Sequence, residues 1–351
     1  MLIGFVVVFW ILRELSSLIL PFALALFTVM LLQPLLAFLI RKKVPSLISV
    51  TLVSIFTLLL VAIFVSIVSS TAAQVADNSK LIAFRFDHKL EIFLQWTNSH
   101  LNFQLNPTQV RNFIAEPFKG DWLARVLGDL ALFLGSMTGS FLMFSIYFVI
   151  LLSGIMNYEK YIHYVFGEKS GLHFVKEFEN TIKAVSSYVG MKFLISFVTG
   201  FCFWVICTGF GVRFALFWGF LAFVLNFIPN IGSIIATILP ILLGIIYLES
   251  GTSIVIYSSL LILTEFIIGN ILDPILMGNR MNLNTLTVLL GLVFWGYIWG
   301  VAGMLLSVPL MVLLRIVLEQ NPDTALIARA MISTKRLKLD RVEDPSTQEA
   351  L

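Results

Sequence analysis

The sequence predicts an all-α fold: a polytopic transmembrane helical bundle of about eight spans, with broken or re-entrant helices near the C-terminus and a small extracytoplasmic helical insert. Three observations predict it. Hydrophobic residues make up 59% of the 351-residue chain. Charged residues make up 12%, against roughly 25% in an ordinary soluble domain. Apolar runs of the ~20 residues that a helix needs to cross a bilayer recur along the chain. Inside a bilayer each run must be helical, because no water is there to satisfy its backbone groups.

The opening MLIGFVVVFWIL has no basic n-region and no small-residue cleavage site, which argues against a removable signal peptide. The run before Arg13 is short for a hydrocarbon core ~30 Å thick. Either the first span continues past Arg13 and Glu14 towards Leu20, or residues precede it. The next runs are Leu15 to Ile40, with Pro21 and Pro34 inside, Leu47 to Ser70, Ala131 to Ile155 and Val189 to Gly211. Phe214 to Ile228 and Ile231 to Leu248 form a pair split at Pro229 and Asn230, and Ile254 to Leu272 follows. Leu286 to Val317 is too long for one span, and WGYIWGVAG (Trp295 to Gly303) is where it is expected to turn back.

Two segments read as helical without being apolar enough to span. From Ser170 to Tyr188, Leu172, Val175, Phe178, Ile182 and Val185 recur at helical spacing opposite Lys176, Glu177, Glu179 and Lys183. That pattern predicts an amphipathic helix on the inner interface or under the bundle. Leu81 to Trp96 carries similar signals, and Pro107 opens a second stretch. The expected organisation is therefore N-terminal transmembrane helices (1–70), an extracytoplasmic helical arm (71–130), a transmembrane helix (131–157), a cytoplasmic amphipathic linker helix (158–188), a C-terminal transmembrane bundle (189–318) and a cytoplasmic tail (319–351). The tail is read as a short helix followed by disorder.

Loop charge sets the orientation. Arg41, Lys42 and Lys43 cluster in a short loop, which the positive-inside rule places in the cytoplasm. Residues 71–130 then lie outside. The basic residues of 157–188, Arg280 and the tail lie inside, with both termini cytoplasmic.

A net charge of +3 and the lack of a basic tract with interleaved aromatics exclude a nucleic-acid partner. Cys202 and Cys207 fit neither a zinc site nor a disulfide framework and read as small packing residues. The four histidines, His88, His100, His163 and His173, show no metal-ligand spacing, so no metal or cofactor is expected. No Walker loop, GxSxG, HExxH or dinucleotide fingerprint is present. The chain is therefore expected to be no enzyme, and any pumping would be secondary, driven by an ion gradient.

Ionisable groups inside spans are rare and mark candidate sites. Glu265, in LILTEFIIGN, has apolar neighbours for a turn on each side, with Asn270 and Asp273 further along. Glu265 and Asp273 are about 12 Å apart along the axis, on roughly one side. A carboxylate held in lipid calls for a proton or a sodium ion, or for a hydrogen bond to a neighbouring helix. For Asp273, Pro274 ends the helix, and the simpler reading is a charge at the cytoplasmic interface, where it is cheaply solvated. In LNFIPNIGS, Asn226, Pro229, Asn230 and Gly232 break an apolar stretch. The break either frees backbone groups to line a pathway or is an ordinary tight loop. Gly135 with Gly139, and Gly296 with Gly300, are spaced for close helix packing.

These motifs together resemble the autoinducer-2 exporter family of bacterial permease-like membrane proteins. Its N-F-I-P-x-x-G loop falls on Asn226, Phe227, Ile228, Pro229 and Gly232. Its G-N-x-x-x-P-x-x-x-G segment falls on Gly269, Asn270, Pro274 and Gly278, and its last motif on Gly300, Gly303 and Pro309. Pro34 and the following basic cluster fit as well, and the likeness covers nearly the whole chain. In many relatives a glutamate directly precedes the Gly-Asn pair. Here that position is Ile268, and the acid is Glu265, three residues earlier and on about the same helix face.

The resemblance implies a multi-pass protein of the bacterial cytoplasmic (inner) membrane, a homo-oligomer in the lipid bilayer. It implies a secondary transporter or facilitator exporting a small polar solute, such as a quorum-sensing signal of the autoinducer-2 type. The alternatives are a sodium–proton antiporter and a non-transporting membrane scaffold.

Overall fold

The computed structural model describes residues 2–100, 141–154, 168–277, 283–319 and 323–332. Among them the secondary structure is helical, apart from one isolated antiparallel bridge between Leu283 and Ile332. The helices are α1 (Leu2–Glu14), α2 (Ser16–Arg41), α3 (Ser46–His100), α4 (Phe141–Gly154), α5 (Glu168–Gly209), α6 (Ala215–Leu225), α7 (Ile231–Tyr247), α8 (Gly251–Met277), α9 (Thr285–Glu319) and α10 (Ala325–Ala330).

Among the described residues, five segments are long and apolar enough to cross a membrane: Ser16–Arg41, Ser46–Thr71, Val185–Gly209, Gly251–Met277 and Thr285–Glu319. Three shorter apolar helices, α4, α6 and α7, pack among them. Leu47, Ile55 and Leu59 on α3, Leu142 and Ile150 on α4, and Phe197 and Phe201 on α5 stay exposed. Leaving such side chains in water forfeits about 1.5–3 kcal/mol each. The chain is a polytopic helical membrane protein whose outer faces are solvated by lipid.

The start of the chain breaks at Leu15, where α1 ends and α2 begins. α1 does not extend towards Leu20. It packs on the first half of α9, where the Arg13 guanidinium donates to the Tyr297 hydroxyl at 3.2 Å and lies over that ring. The Trp299 indole donates to the Leu12 carbonyl at 3.1 Å.

Two helices run through boundaries expected from hydropathy. α3 continues as 55 residues without a break after Ser70, about 80 Å at ~1.5 Å per residue. α5 is one helix of 42 residues, so the expected interfacial helix and the following span are a single element. Hydropathy falls along α3 and rises along α5, but no proline stands at either place, so the backbone bonds run on. The early turns of α5 that carry Ile182 and Val185 are buried against α2 and α9.

α5 is the axis of the bundle. Its first half shares one apolar cluster with α1, α2, α8 and α9. Its second half shares another with α3, α6, α7 and α8. A third cluster joins α2, α3 and α4. α5 and α6 cross at Gly200 and Gly219, where a Cβ on either would come within 2.6 Å of the other's carbonyl oxygen. Tyr257 ties α5, α7 and α8 together: its hydroxyl donates to the Pro240 carbonyl at 3.0 Å and lies 3.4 Å from the Cys207 sulfur.

α9 folds back on itself. Gly300 has φ 62° and ψ −143°, a backbone state essentially confined to glycine. Gly291 faces Met311, Gly296 faces Met304 and Gly303 faces the Trp295 carbonyl, so the two halves lie antiparallel about Gly300. Gly300 is therefore the turn itself and not half of a packing pair with Gly296. Pro309 lies buried in the returning half. Asn284 caps the entering half by accepting from the Thr287 N–H at 2.6 Å, and its amide donates to Ala330 of α10. The start of the tail is thereby pinned beneath the hairpin. Gly135, Gly139, Gly278, Arg280, His163, the Pro107 stretch and the charged end of the tail lie outside the described residues.

Candidate functional site

α6 and α7 make a second helical hairpin, turning over residues 226–230. Gly232 allows the turn to close: a Cβ there would overlap the Leu225 carbonyl. The Ile231 N–H donates to the Pro229 carbonyl at 2.7 Å across Asn230, which has φ 61° and ψ −55°. This is a γ-turn of the rare positive-φ kind, strained for a non-glycine residue. Asn230 stands directly before Ile231, at the mouth of the helix that follows.

Across from this turn runs α8, interrupted by a π-turn over Ile268–Leu272. Such turns carry one residue too many for α-helical register and collect at functional sites. Between α7 and α8 lies an open cleft of about 430 Å³, lined by Asn230, Ser233 and Thr237 on one side and Glu265, Gly269 and Asn270 on the other. Ile234, Ile238, Ile262 and Phe266 form its apolar rim. The broken loop and the Glu265 helix thus share one cavity.

Both Glu265 carboxylate oxygens are buried and complete no hydrogen bond, although Ser233 stands close enough to influence the carboxyl. Lys192 and Asp273 act on it through their charges. Those two residues form an ion pair at 2.9 Å between α5 and α8, with side-chain exposures of 7% and 26%. The second Asp273 oxygen, Oδ1, is buried without a partner. Asp273 is therefore no freely solvated interface charge. One turn along α5 from Lys192, the Ser196 hydroxyl accepts from the buried Asn226 amide at 3.0 Å. Lys192, Ser196 and Thr199 follow an i, i+4, i+7 pattern and are all buried, making one polar stripe on α5.

Of the residues singled out from the sequence, Asn230, Glu265, Gly269 and Asn270 come together in the cleft. Asn226 and Asp273 dock on the α5 stripe, and Pro229 and Gly232 shape the turn. Pro274 lies just past the π-turn, while Pro34, Gly300, Gly303 and Pro309 lie elsewhere, in α2 and α9. Sequence reasoning missed Lys192, although a lone cation in the apolar run VGMKFLISF is the same signal that marked Glu265. It also missed Ser233 and Thr237, whose i, i+4 spacing after the break places both on one face. No group of three or more His, Cys, Asp or Glu side chains that could hold a metal ion is found among the described residues.

The cleft offers a carboxylate, two hydroxyls and two amides against an apolar wall, which suits a small hydroxylated solute or a monovalent cation.

Comparison with known proteins agrees with this architecture. The profile of the AI-2E family transporter matches residues 1–323. The AI-2 transport protein TqsA of Escherichia coli (strain K12) is 30% identical over 322 residues, covering 90% of this chain and 90% of TqsA. A Haemophilus influenzae protein with a provisional transport-protein name is 30% identical over 318 residues, 88% of each chain. YhhT of Escherichia coli (strain K12), likewise provisionally named, is 29% identical over 319 residues, 89% of this chain and 87% of that one. With nearly its whole length matched, this chain belongs to the AI-2E transporter family and is a multi-pass membrane transporter, not an enzyme.

Proposed function

We propose that the chain is a secondary transporter or facilitator for a small polar solute, and that the cleft between α7 and α8 is its binding site. The observation that carries this reading is the Glu265 carboxylate, buried and without a hydrogen-bond partner beside Asn230, Ser233 and Asn270. A buried carboxylate with unused acceptors is costly unless a ligand supplies donors. Solute hydroxyls would donate to Glu265 and exchange hydrogen bonds with the flanking amides, and the rim of Ile234, Ile262 and Phe266 would cover a carbon skeleton. A signal of the autoinducer-2 type, moved outward, is the solute we assign, because the E. coli relative is named for AI-2 transport.

A second reading has a specific observation behind it. Glu265, Asp273 and Lys192 bring two carboxylates to one ammonium, and three of the four carboxylate oxygens are unpartnered. One further monovalent cation, a sodium ion or a proton, would balance the cluster. It would serve either as the coupling ion for the solute or as the cargo of a sodium–proton antiporter.

The remaining assignments rest on loop charge and on the family likeness. The basic loop Arg41–Lys43 faces the cytoplasm, both termini lie on that side, the membrane is the bacterial inner membrane, and copies associate as a homo-oligomer.

Flux into reconstituted liposomes tests the site. Autoinducer-2 and other small polar solutes are compared with and without imposed sodium and proton gradients, for the wild type and for Glu265→Gln. Solute flux that Glu265→Gln abolishes supports the cleft. Ion exchange without solute flux favours the antiporter. Wild-type flux in the Glu265→Gln protein, or no flux of any kind, refutes both readings.

A further inference from the structure

At the opposite end of α7 from the Asn230 turn, three cations gather around one tyrosine. We propose that Arg85, Lys89 and Arg213 around Tyr247 form a binding site for a phosphate-bearing anion, the headgroup of an anionic phospholipid.

The residues come from three elements. Arg85 and Lys89 stand one turn apart on the continuation of α3 beyond its membrane-spanning part, Arg213 lies in the loop joining α5 to α6, and Tyr247 ends α7. The Arg85 guanidinium lies 5.2 Å from the Tyr247 ring centroid and that of Arg213 lies 5.7 Å from it. Arg213 also donates to the Asn78 side chain at 2.9 Å. The Lys89 ammonium donates to the Leu248 carbonyl at 2.8 Å and reaches the Glu249 carbonyl at 3.4 Å. These bonds fix the cations in place at the carbonyl end of α7 but neutralise none of them.

No carboxylate among the described residues forms an ion pair with any of the three. Glu249, adjacent in the chain to Leu248, offers its backbone carbonyl and leaves its side chain exposed. Asp87 and Glu91 fall on other faces of α3, two residues out of step with Arg85 and Lys89. The Tyr247 hydroxyl is buried with no hydrogen-bond partner among the described residues, so the cluster also holds a donor in want of an acceptor. A phosphate oxygen would fill that need, and guanidinium groups match its geometry.

The position selects a lipid. α7 is 17 residues long, so Tyr247 stands about 25 Å from the turn at Asn230, close to the thickness of a bilayer core. Tyrosine with flanking cations is the composition of the headgroup layer. Leu81 continues the Arg85–Lys89 stripe one turn towards the membrane, and both Leu81 and Phe84 are exposed beside it.

The test uses the whole protein in neutral detergent. Its unfolding midpoint is titrated with phosphatidylglycerol, with phosphatidylcholine and with inorganic phosphate, for the wild type, Arg85→Gln and Arg85→Gln/Arg213→Gln. Arg85 is exposed, so the single variant keeps the fold. Phosphatidylglycerol should raise the wild-type midpoint more than phosphatidylcholine does. Its apparent affinity should fall about fivefold for the first charge removed and about thirtyfold for two. A shift produced equally by inorganic phosphate, and lost in the variants, would keep the anion site but overturn the lipid as its source. Equal responses to both lipids, or an unchanged phosphatidylglycerol response in the double variant, would overturn the site.

Discussion

Removing one partner of the Lys192–Asp273 pair tests the charge cluster most directly. Lys192 is nearly fully buried and Asp273 about a quarter exposed, with 2.9 Å between them. Breaking a fully buried pair costs about 3–5 kcal/mol, mostly because the abandoned charge stays buried. The partial exposure of Asp273 lets solvent relieve some of that, so Lys192→Met should cost about 3 kcal/mol. Asp273→Asn leaves the ammonium among apolar neighbours on α5 and should cost a similar amount. The double variant Lys192→Met/Asp273→Asn leaves neither charge of the pair without the other, and its cost should fall to about 1 kcal/mol, a coupling of several kcal/mol in a double-mutant cycle. For a chain of this length each kcal/mol moves the midpoint about 2 °C. Each single variant should therefore melt about 6 °C below the wild type in detergent, and the double variant about 2 °C below. Additive single losses would refute the reasoning, since they would mean that the two side chains do not compensate each other inside the bundle.

Three further outcomes follow from single residues. Glu265→Gln should melt no lower than the wild type, because it keeps the shape of a buried carboxyl group whose oxygens complete no hydrogen bond. A fall on the order of 5 °C would assign Glu265 a structural bond instead. Gly300→Ala forces a side chain into a glycine-only backbone state and should cost about 2 kcal/mol, read as a lowered midpoint. An unchanged midpoint would mean that the α9 hairpin turns elsewhere. Asn284→Ala should cost about 1 kcal/mol and speed proteolysis after α10, whereas Asn284→Asp should keep the helix cap and still release the tail. Equal proteolysis in both variants and the wild type would show that Asn284 does not hold the tail.

Much of the bundle was legible because the bilayer imposes a simple rule: long apolar runs become helices, and glycine or proline marks their breaks. The turn in WGYIWGVAG and the break at Pro229 were found this way, each from residues whose backbone preferences are strong. What hydropathy cannot report is continuity. α3 passes from apolar to polar sequence after Ser70 without any residue that ends a helix, and α5 does the reverse before Val189. A change of solvent was read as a change of element. In the site, Glu265 and Asn230 were visible as polar residues in apolar surroundings, but their partners were not. Which helix faces Asp273 depends on tertiary packing, and only the lone charge at Lys192 hinted that α5 supplied it.

The π-turn explains why spacing alone misleads on α8. An α-helix relates Glu265 to Asp273 by a fixed rotation, but Ile268–Leu272 carries an extra residue between them. Glu265 lies on the near side of that insertion and lines the cleft with α7, while Asp273 lies beyond it and reaches α5. Removing one residue would turn everything past the deletion by about 100° and draw it back about 1.5 Å. Deleting Ile271, which is exposed, should therefore swing Asp273 off Lys192 and leave Glu265 where it stands. The deletion should lower the midpoint by about as much as Asp273→Asn does, and combining the two should cost little more than either alone, because both abandon the same ammonium. Fully additive losses would show that the π-turn does not set the register of the ion pair.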